Sequence, residues 1–141
     1  MGTKRHNPGQ IIFAWAGLNI RGYAAEGFIT INRTSEATQS SVGANAEVTV
    51  EVIPDDRKRI TLRLQRSSDD NKALTKIFQA QRTSGDVFFS PLLIEDPNVG
   101  DKHVAPTCWI MDEPDPEYSA QVGISEWVFE AANMQSFHGG V

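Results

Sequence analysis

The chain has 141 residues, 40% of them apolar and 22% charged, with a formal net charge of −5. That length suits one domain spanning residues 1–141, able to bury roughly two thirds of its unfolded surface without disulfides or metal. The acidic balance excludes duplex-DNA binding by phosphate neutralisation, and no apolar run approaches the ~20 residues of a membrane-spanning helix, so a soluble protein with no membrane partner is expected.

Residues 1–10 are polar and basic, are interrupted by Pro8 and Gly9, and read as a flexible N-terminal arm without the apolar stretch of a secretory signal. Ile11 to Trp15 is apolar at every position and predicts a strand covered on both sides. Gly17, Gly22 and Gly27 then turn the chain toward a second strand, Phe28 to Asn32. Arg33 to Asn45 is too rich in Ser, Thr, Ala and Gln to form a core. A structureless stretch of that length inside a domain is usually functional or disordered, so it reads as either a solvated loop or an interaction loop.

Ala46 to Gln65 carries the clearest pattern. Ala46, Val48, Val50 and Val52 alternate on one strand, Ile60, Leu62 and Leu64 on the next, and Pro54, Asp55 and Asp56 supply a turn. A hairpin with Ile53 opposite Arg57 would set Glu51 against Arg59, Thr49 against Thr61 and Glu47 against Arg63. Its valines would then join the core. Ser67 to Asn71 offers helix caps, and Leu74, Ile77 and Phe78 recur at helical spacing until Gly85, predicting one short helix over about 72–83. Val87 to Ile94 reads as a strand that Pro91 assigns to an edge or a bulge. A turn over Asp96 to Asp101, a strand over His103 to Asp112, and a final strand over Ala120 to Ala132 complete the chain. The fold class is mainly β: a sandwich or barrel of six to seven strands with one short helix.

Chemistry is sparse. No nucleophile stands by a base, and no phosphate-cradling glycine motif occurs. His6, His103 and His138 lack zinc-ligand spacing and read as surface histidines. Cys108, between Thr107 and Trp109, reads as a buried structural thiol with no basic neighbour to activate it. The Glu113 to Glu117 loop, with Asp112, Asp115 and two prolines, lacks a cation-loop pattern and reads as solvated. Neither enzyme activity nor a cofactor or metal is expected. A rival reading, a single-strand nucleic-acid-binding barrel of the OB type, needs a basic groove with exposed aromatics. Phe13, Trp15, Trp109, Trp127 and Phe129 instead lie in apolar strands.

The order of these pieces resembles the tail-tube proteins of long-tailed bacteriophages, in the group of short phage structural proteins. The likeness runs from about Leu18 to Gly140. It is carried by Gly22-Tyr23-Ala24-Ala25-Glu26-Gly27-Phe28-Ile29, the polar excursion ending Gly43-Ala44-Asn45-Ala46-Glu47, Ile60-Thr61-Leu62, the Ser67-Ser68-Asp69-Asp70-Asn71 helix entry with Leu74, Ile94-Glu95-Asp96 and Glu126-Trp127-Val128-Phe129. Asp96-Pro97-Asn98-Val99-Gly100 departs from it as a lengthened turn. The resemblance implies a subunit of hexameric rings stacked into a virion tail tube, assembled in the host cytoplasm, through which genome and tape-measure protein pass. Sheath, baseplate and terminator proteins would be further partners, and a tail-terminator or baseplate ring is the related alternative.

If each subunit gave four strands to a shared inner barrel of about 24, strand spacing and tilt would set a backbone diameter of roughly 48 Å, wider than duplex DNA. Six subunits of −5 carry about −30 per ring, which repels passing DNA rather than binding it. By resemblance, residues 33–45 would be an inter-ring loop, with Arg33, Thr34, Ser35, Glu36, Gln39, Ser40, Val42 and Asn45 making contacts. Lys4, Arg5, Phe137 and Val141 would make terminal contacts, with 137–141 a C-terminal tail. Glu47, Glu51, Arg59 and Arg63 are the candidate lumen face.

Overall fold

The apolar alternation after Ile11 closes a hairpin sooner than the glycine spacing predicts. A computed structural model, describing residues 11–21, 23, 28–116 and 123–139, places β1 at Ile12–Trp15 and β2 at Leu18–Asn19, with Trp15 opposite Leu18. The two turn residues, Ala16 and Gly17, have φ of 55° and 76°, the left-handed pair whose twist matches a two-residue hairpin. Phe13 and Trp15 are buried while Ile12 and Ala14 are only half-buried, so β1 is covered fully on one side and not on both.

The remaining elements are β3 (Ile29–Arg33), β4 (Thr38–Val42), β5 (Val48–Val52), β6 (Lys58–Gln65), α1 (Asp70–Ser84), β7 (Ser90–Asp96), β8 (Asp101–Asp112), β9 (Ile124–Ala132) and β10 (Gln135–Phe137). Eight strands make one antiparallel sheet in the order β2-β1-β7-β8-β9-β6-β3, with β10 added on β8. The mainly β fold with one helix is as expected, with one or two strands more in its main sheet. After β2 the chain runs from one sheet edge toward the other. Ile20 donates its N–H to the Phe13 carbonyl at 2.9 Å, and Tyr23 bridges to Leu64 on β6.

The core follows from strand alternation. Register sets Ile60 against Phe129 and Leu62 against Trp127, and all four are buried with Phe13, Trp15, Ala105, Cys108 and Ile110. Burial pushes the Cys108 thiol up to about 12, an inert thiolate precursor as its sequence context predicts. Pro91 falls at a register shift between Ser90 and Leu92. It therefore marks a bulge, and β7 lies inside the sheet between β1 and β8 rather than at an edge. Because Pro offers no N–H to a ladder, a bulge is how an interior strand admits it.

Helix α1 buries Leu74 and Phe78 and ends at Gly85, φ 74°, whose N–H caps the Gln81 carbonyl. At its start, Ser68 Oγ accepts from the Asp70 N–H at 3.2 Å. Asn71 docks the helix on the sheet: its amide nitrogen donates to the carbonyls of Gln65 and Ser68 at 3.0 and 3.1 Å, while Oδ1 accepts from the Trp127 indole at 2.9 Å. Asn71→Ala is expected to cost about 1–3 kcal/mol in chemical denaturation, because the buried indole N–H loses its partner. Asn71→Asp keeps the acceptor for the indole but sets a carboxylate oxygen against the Gln65 and Ser68 carbonyls, so it is expected to be destabilising as well.

The expected Ala46–Gln65 hairpin does not form. β5 pairs with β4, setting Thr38 against Val52, Ser40 against Val50 and Val42 against Val48, while β6 lies between β3 and β9. Arg59 therefore faces Asn32 and Glu130, Arg63 faces Glu126, and Glu51 faces Gln39. Alternation fixes which side chains share a face and leaves the partner strand open. Here Trp127 and Phe129 on β9 give Ile60 and Leu62 larger apolar neighbours than the valines would.

Residues 33–45 are accordingly not a structureless loop. Arg33 ends β3, and Thr38–Val42 is a strand. A polar sequence can form that strand because nothing in it must enter the core. Phe137 likewise ends β10 rather than lying in a free tail. Lys4, Arg5, Val141, the residues 120–122 of the expected last strand, and Glu117 lie outside the described residues.

Candidate functional site

The β4–β5 hairpin is a separate two-stranded sheet. Every residue of both strands is exposed. Its five-residue tip closes with the Gly43 N–H on the Glu47 carbonyl at 2.8 Å and the Ala46 N–H on the Gly43 carbonyl at 3.0 Å. Because opposed residues share a face, one face carries Val42, Val48, Val50 and Val52, exposed by 70, 64, 64 and 80%. Gln39, Ser41, Thr49 and Glu51 occupy the other. The alternation that looked like core patterning thus builds an exposed apolar surface that joins no core cluster among the described residues.

The root of this arm is tied to the main sheet by polar groups. Asp55 takes two charge-assisted bonds from the Arg57 guanidinium, both 2.9 Å, and a third from the Arg57 backbone N–H at 3.1 Å. Arg57 Nη1 also reaches Glu130 Oε1 on β9 at 3.3 Å, and Glu130 is the buried charged residue among those described. From the strand side, Thr34 N–H and Oγ1 donate to the Arg57 carbonyl, and Ser35 Oγ donates to the Asp55 carbonyl. Thr34 and Ser35, expected to make inter-ring contacts, hold this root within the chain.

Asp55 gives the root a pH dependence of definite sign. Hydrogen bonds from Arg57 hold its carboxyl well below the usual carboxylate range. A depressed carboxylate adds stability that is complete above its unfolded pKa of about 3.9 and is lost as pH falls toward the folded value. Arm amides are therefore expected to keep their hydrogen-exchange protection at pH 5 and to lose it progressively below about pH 4, whereas Asp55→Asn, with no carboxylate to titrate there, should be less protected already at pH 5 and change less on acidification.

The four candidate lumen residues do not share one face. Glu47 and Glu51 belong to the arm, whereas Arg59 and Arg63 point outward from β6. Arg63 Nε pairs with Glu126 Oε2 at 3.2 Å. Arg59, Thr61 and Arg63 with Glu126, Val128 and Glu130 form an outward face of mixed charge on the main sheet. Among the described residues, no three His, Cys, Asp or Glu side chains are placed to hold a metal ion. Of the five aromatics weighed for base stacking, Phe13, Trp15, Trp127 and Phe129 are in the core. The fifth, the half-buried Trp109, meets Phe89 edge-on at 5.6 Å. The sequence also concealed the pairing of His103 with His138, whose rings meet at 5.7 Å. Their 35-residue separation has no motif spacing, and only the return of β10 to β8 brings them together.

Residues 16–139 match the family of the bacteriophage PhiTE tail tube protein. The chain belongs to that family. The tail-tube fold is also seen in solved structures. The cryo-EM structure of the anti-feeding prophage cap, described as the AFP tube terminating cap, superposes with a TM-score of 0.66 at 11% identity, covering 99% of this chain and 95% of that one. The sheath/tube terminator of the PVC extracellular contractile injection system, in its extended state, gives 0.61 at 12% identity over 91% and 93%. A chain of the PVC sheath-tube complex gives 0.64 at 11% identity over 92% and 89%. No curated protein matches the sequence. At these identities the structural likenesses bear on the fold. Membership of the tail-tube family rests on the sequence match.

Proposed function

We propose that this chain is a structural, non-catalytic protein of the phage virion tail, whose copies form hexameric rings stacked into the tube that conducts the genome into the host. The observation that carries this reading is the projecting β4–β5 arm, a registered hairpin with four exposed valines on one face and a polar opposite face. A subunit that polymerises needs an apolar surface satisfied only by another copy, and a heterologous contact propagates where its rotation does not close a ring. Val42 and its neighbours on β5 would bury that face between rings, with Gln39, Ser40 and Asn45 at its margin and Arg33 and Glu36 near its root.

The outward face of Arg59 and Arg63 with Glu126 supports a lumen wall better than the arm glutamates do, since mixed charge stays wet and does not grip phosphate. Tape-measure protein, sheath, baseplate and terminator are the partners that this role entails, with assembly in the host cytoplasm. Negative-stain images of the purified protein test the reading. Tubes or stacked rings are expected. Monomers persisting at high concentration would count against it, and single rings that never stack would indicate a tube-ending ring.

A further inference from the structure

The inward face of the sheet is open at one end. There β3 and the pairing of β7 with β8 leave a cavity of about 410 Å³ between Ile29, Ile31 and Ile94, with Asp101, His103 and His138 at its rim. The C-terminal segment returns across this opening by three attachments. β10 pairs with β8, setting Ser136 opposite His103 and Phe137 opposite Lys102. The His138 ring meets His103 edge-on. The Gly139 N–H donates to Asp101 Oδ1 at 2.8 Å. Gly139 also sits hard against the β7–β8 turn, where a Cβ would overlap the Val99 carbonyl and lie 2.6 Å from the Gly100 carbonyl carbon. Only glycine fits there.

The middle attachment sits in a cluster of polar groups around Ser136. Lys58 Nζ lies 2.7 Å from Ser136 Oγ and donates to it. His103 Nδ1 lies 2.8 Å from the same oxygen, so the His103 ring stands one hydroxyl away from the Lys58 ammonium and edge-on to the His138 ring. Protonating His103 puts an imidazolium beside both, where the Lys58 charge opposes it.

We infer that residues 135–139 are a pH-sensitive clasp over the open end of the core, docked while His103 is neutral and released when it is protonated. Burial lowers the His103 pKa, His138 and Lys58 lower it further, and Asp101 opposes them. The remaining charges at this end are Asp96 on the cavity rim, and Arg33 and Asp56, which act on Lys58 in opposite senses. A histidine with a depressed pKa binds fewer protons docked than released, so acid favours release. The transition begins as pH falls through the free-histidine value of about 6.5. Release uncovers Ile29, Ile31 and Ile94, and frees Phe137, already 58% exposed, to reach a partner.

Residue-resolved hydrogen exchange on the full chain tests this. Corrected for intrinsic rates, the Phe137 and Gly139 amides are expected to exchange clearly faster at pH 5 than at pH 8, while α1 amides keep their protection. His103→Asn, neutral at both pH values, is expected to lose most of that difference. Gly139→Ala is expected to exchange fast already at pH 8. Equal protection at both pH values in the parent would overturn the inference. An equal rise in α1 exchange would also overturn it, since the event would then be global unfolding.

Discussion

A protein carrying Val48→Glu and Val50→Glu is expected to fold as the parent does and to form no tubes. Both side chains are 64% exposed in the subunit and belong to no core cluster. Replacing them should move subunit stability by no more than about 0.5 kcal/mol, as for surface positions generally. In an assembled contact the same positions would each contribute roughly 1.5–3 kcal/mol by apolar burial, and a carboxylate there adds a desolvation cost of several kcal/mol. Losing 4 kcal/mol or more per contact weakens association by about a thousandfold or more. Sedimentation velocity and negative-stain microscopy read the assembly, and urea denaturation reads the fold. Tubes of ordinary length from the double variant would remove the valine face from the interface. Thr49→Glu, on the opposite face of β5, is the control and should assemble far better.

The contrast between the arm and the core shows which part of the structure the sequence carries. Strand positions and inward faces were legible where alternation met large side chains: β6 buries Ile60, Leu62 and Leu64, and β9 buries Trp127 and Phe129, as their patterns predict. Helix α1 was legible from Leu74, Phe78 and the Gly85 stop. Partner choice was not. Val48, Val50 and Val52 carry the same alternation as a core strand, and nothing local says that their apolar face lies outside the core. The tight turn at Ala16 was hidden for a different reason, since an alanine with positive φ has no sequence signature. At the arm root, Asp55 looked like part of a hairpin turn, whereas its bonds to Arg57 steer the chain from one sheet into the other. His103 and His138 meet only because β10 folds back, a long-range event that residue spacing does not encode.

Phe129→Ala is expected to destabilise the subunit by about 3–5 kcal/mol, the cost of a large cavity at a fully buried aromatic. Phe129 is 0% exposed and lies where β9 faces β1 across the core, with ring centroids 5.6 Å from Phe13 and 5.1 Å from Trp15. Those two contacts join strands that share no backbone ladder, since β7 and β8 intervene in the sheet. These ring contacts, and no hydrogen bonds between β1 and β9, join the two strands across the core. With total stabilities of about 5–15 kcal/mol typical of single domains, the loss should bring the urea midpoint down by roughly a fifth or more. Phe129→Leu refills most of the volume and should cost less than half as much. Near-UV circular dichroism should weaken with the alanine variant as Trp15 loses one of its two edge-on neighbours. A leucine variant as unstable as the alanine one would show that ring geometry, and not filled volume, sets the contribution of Phe129.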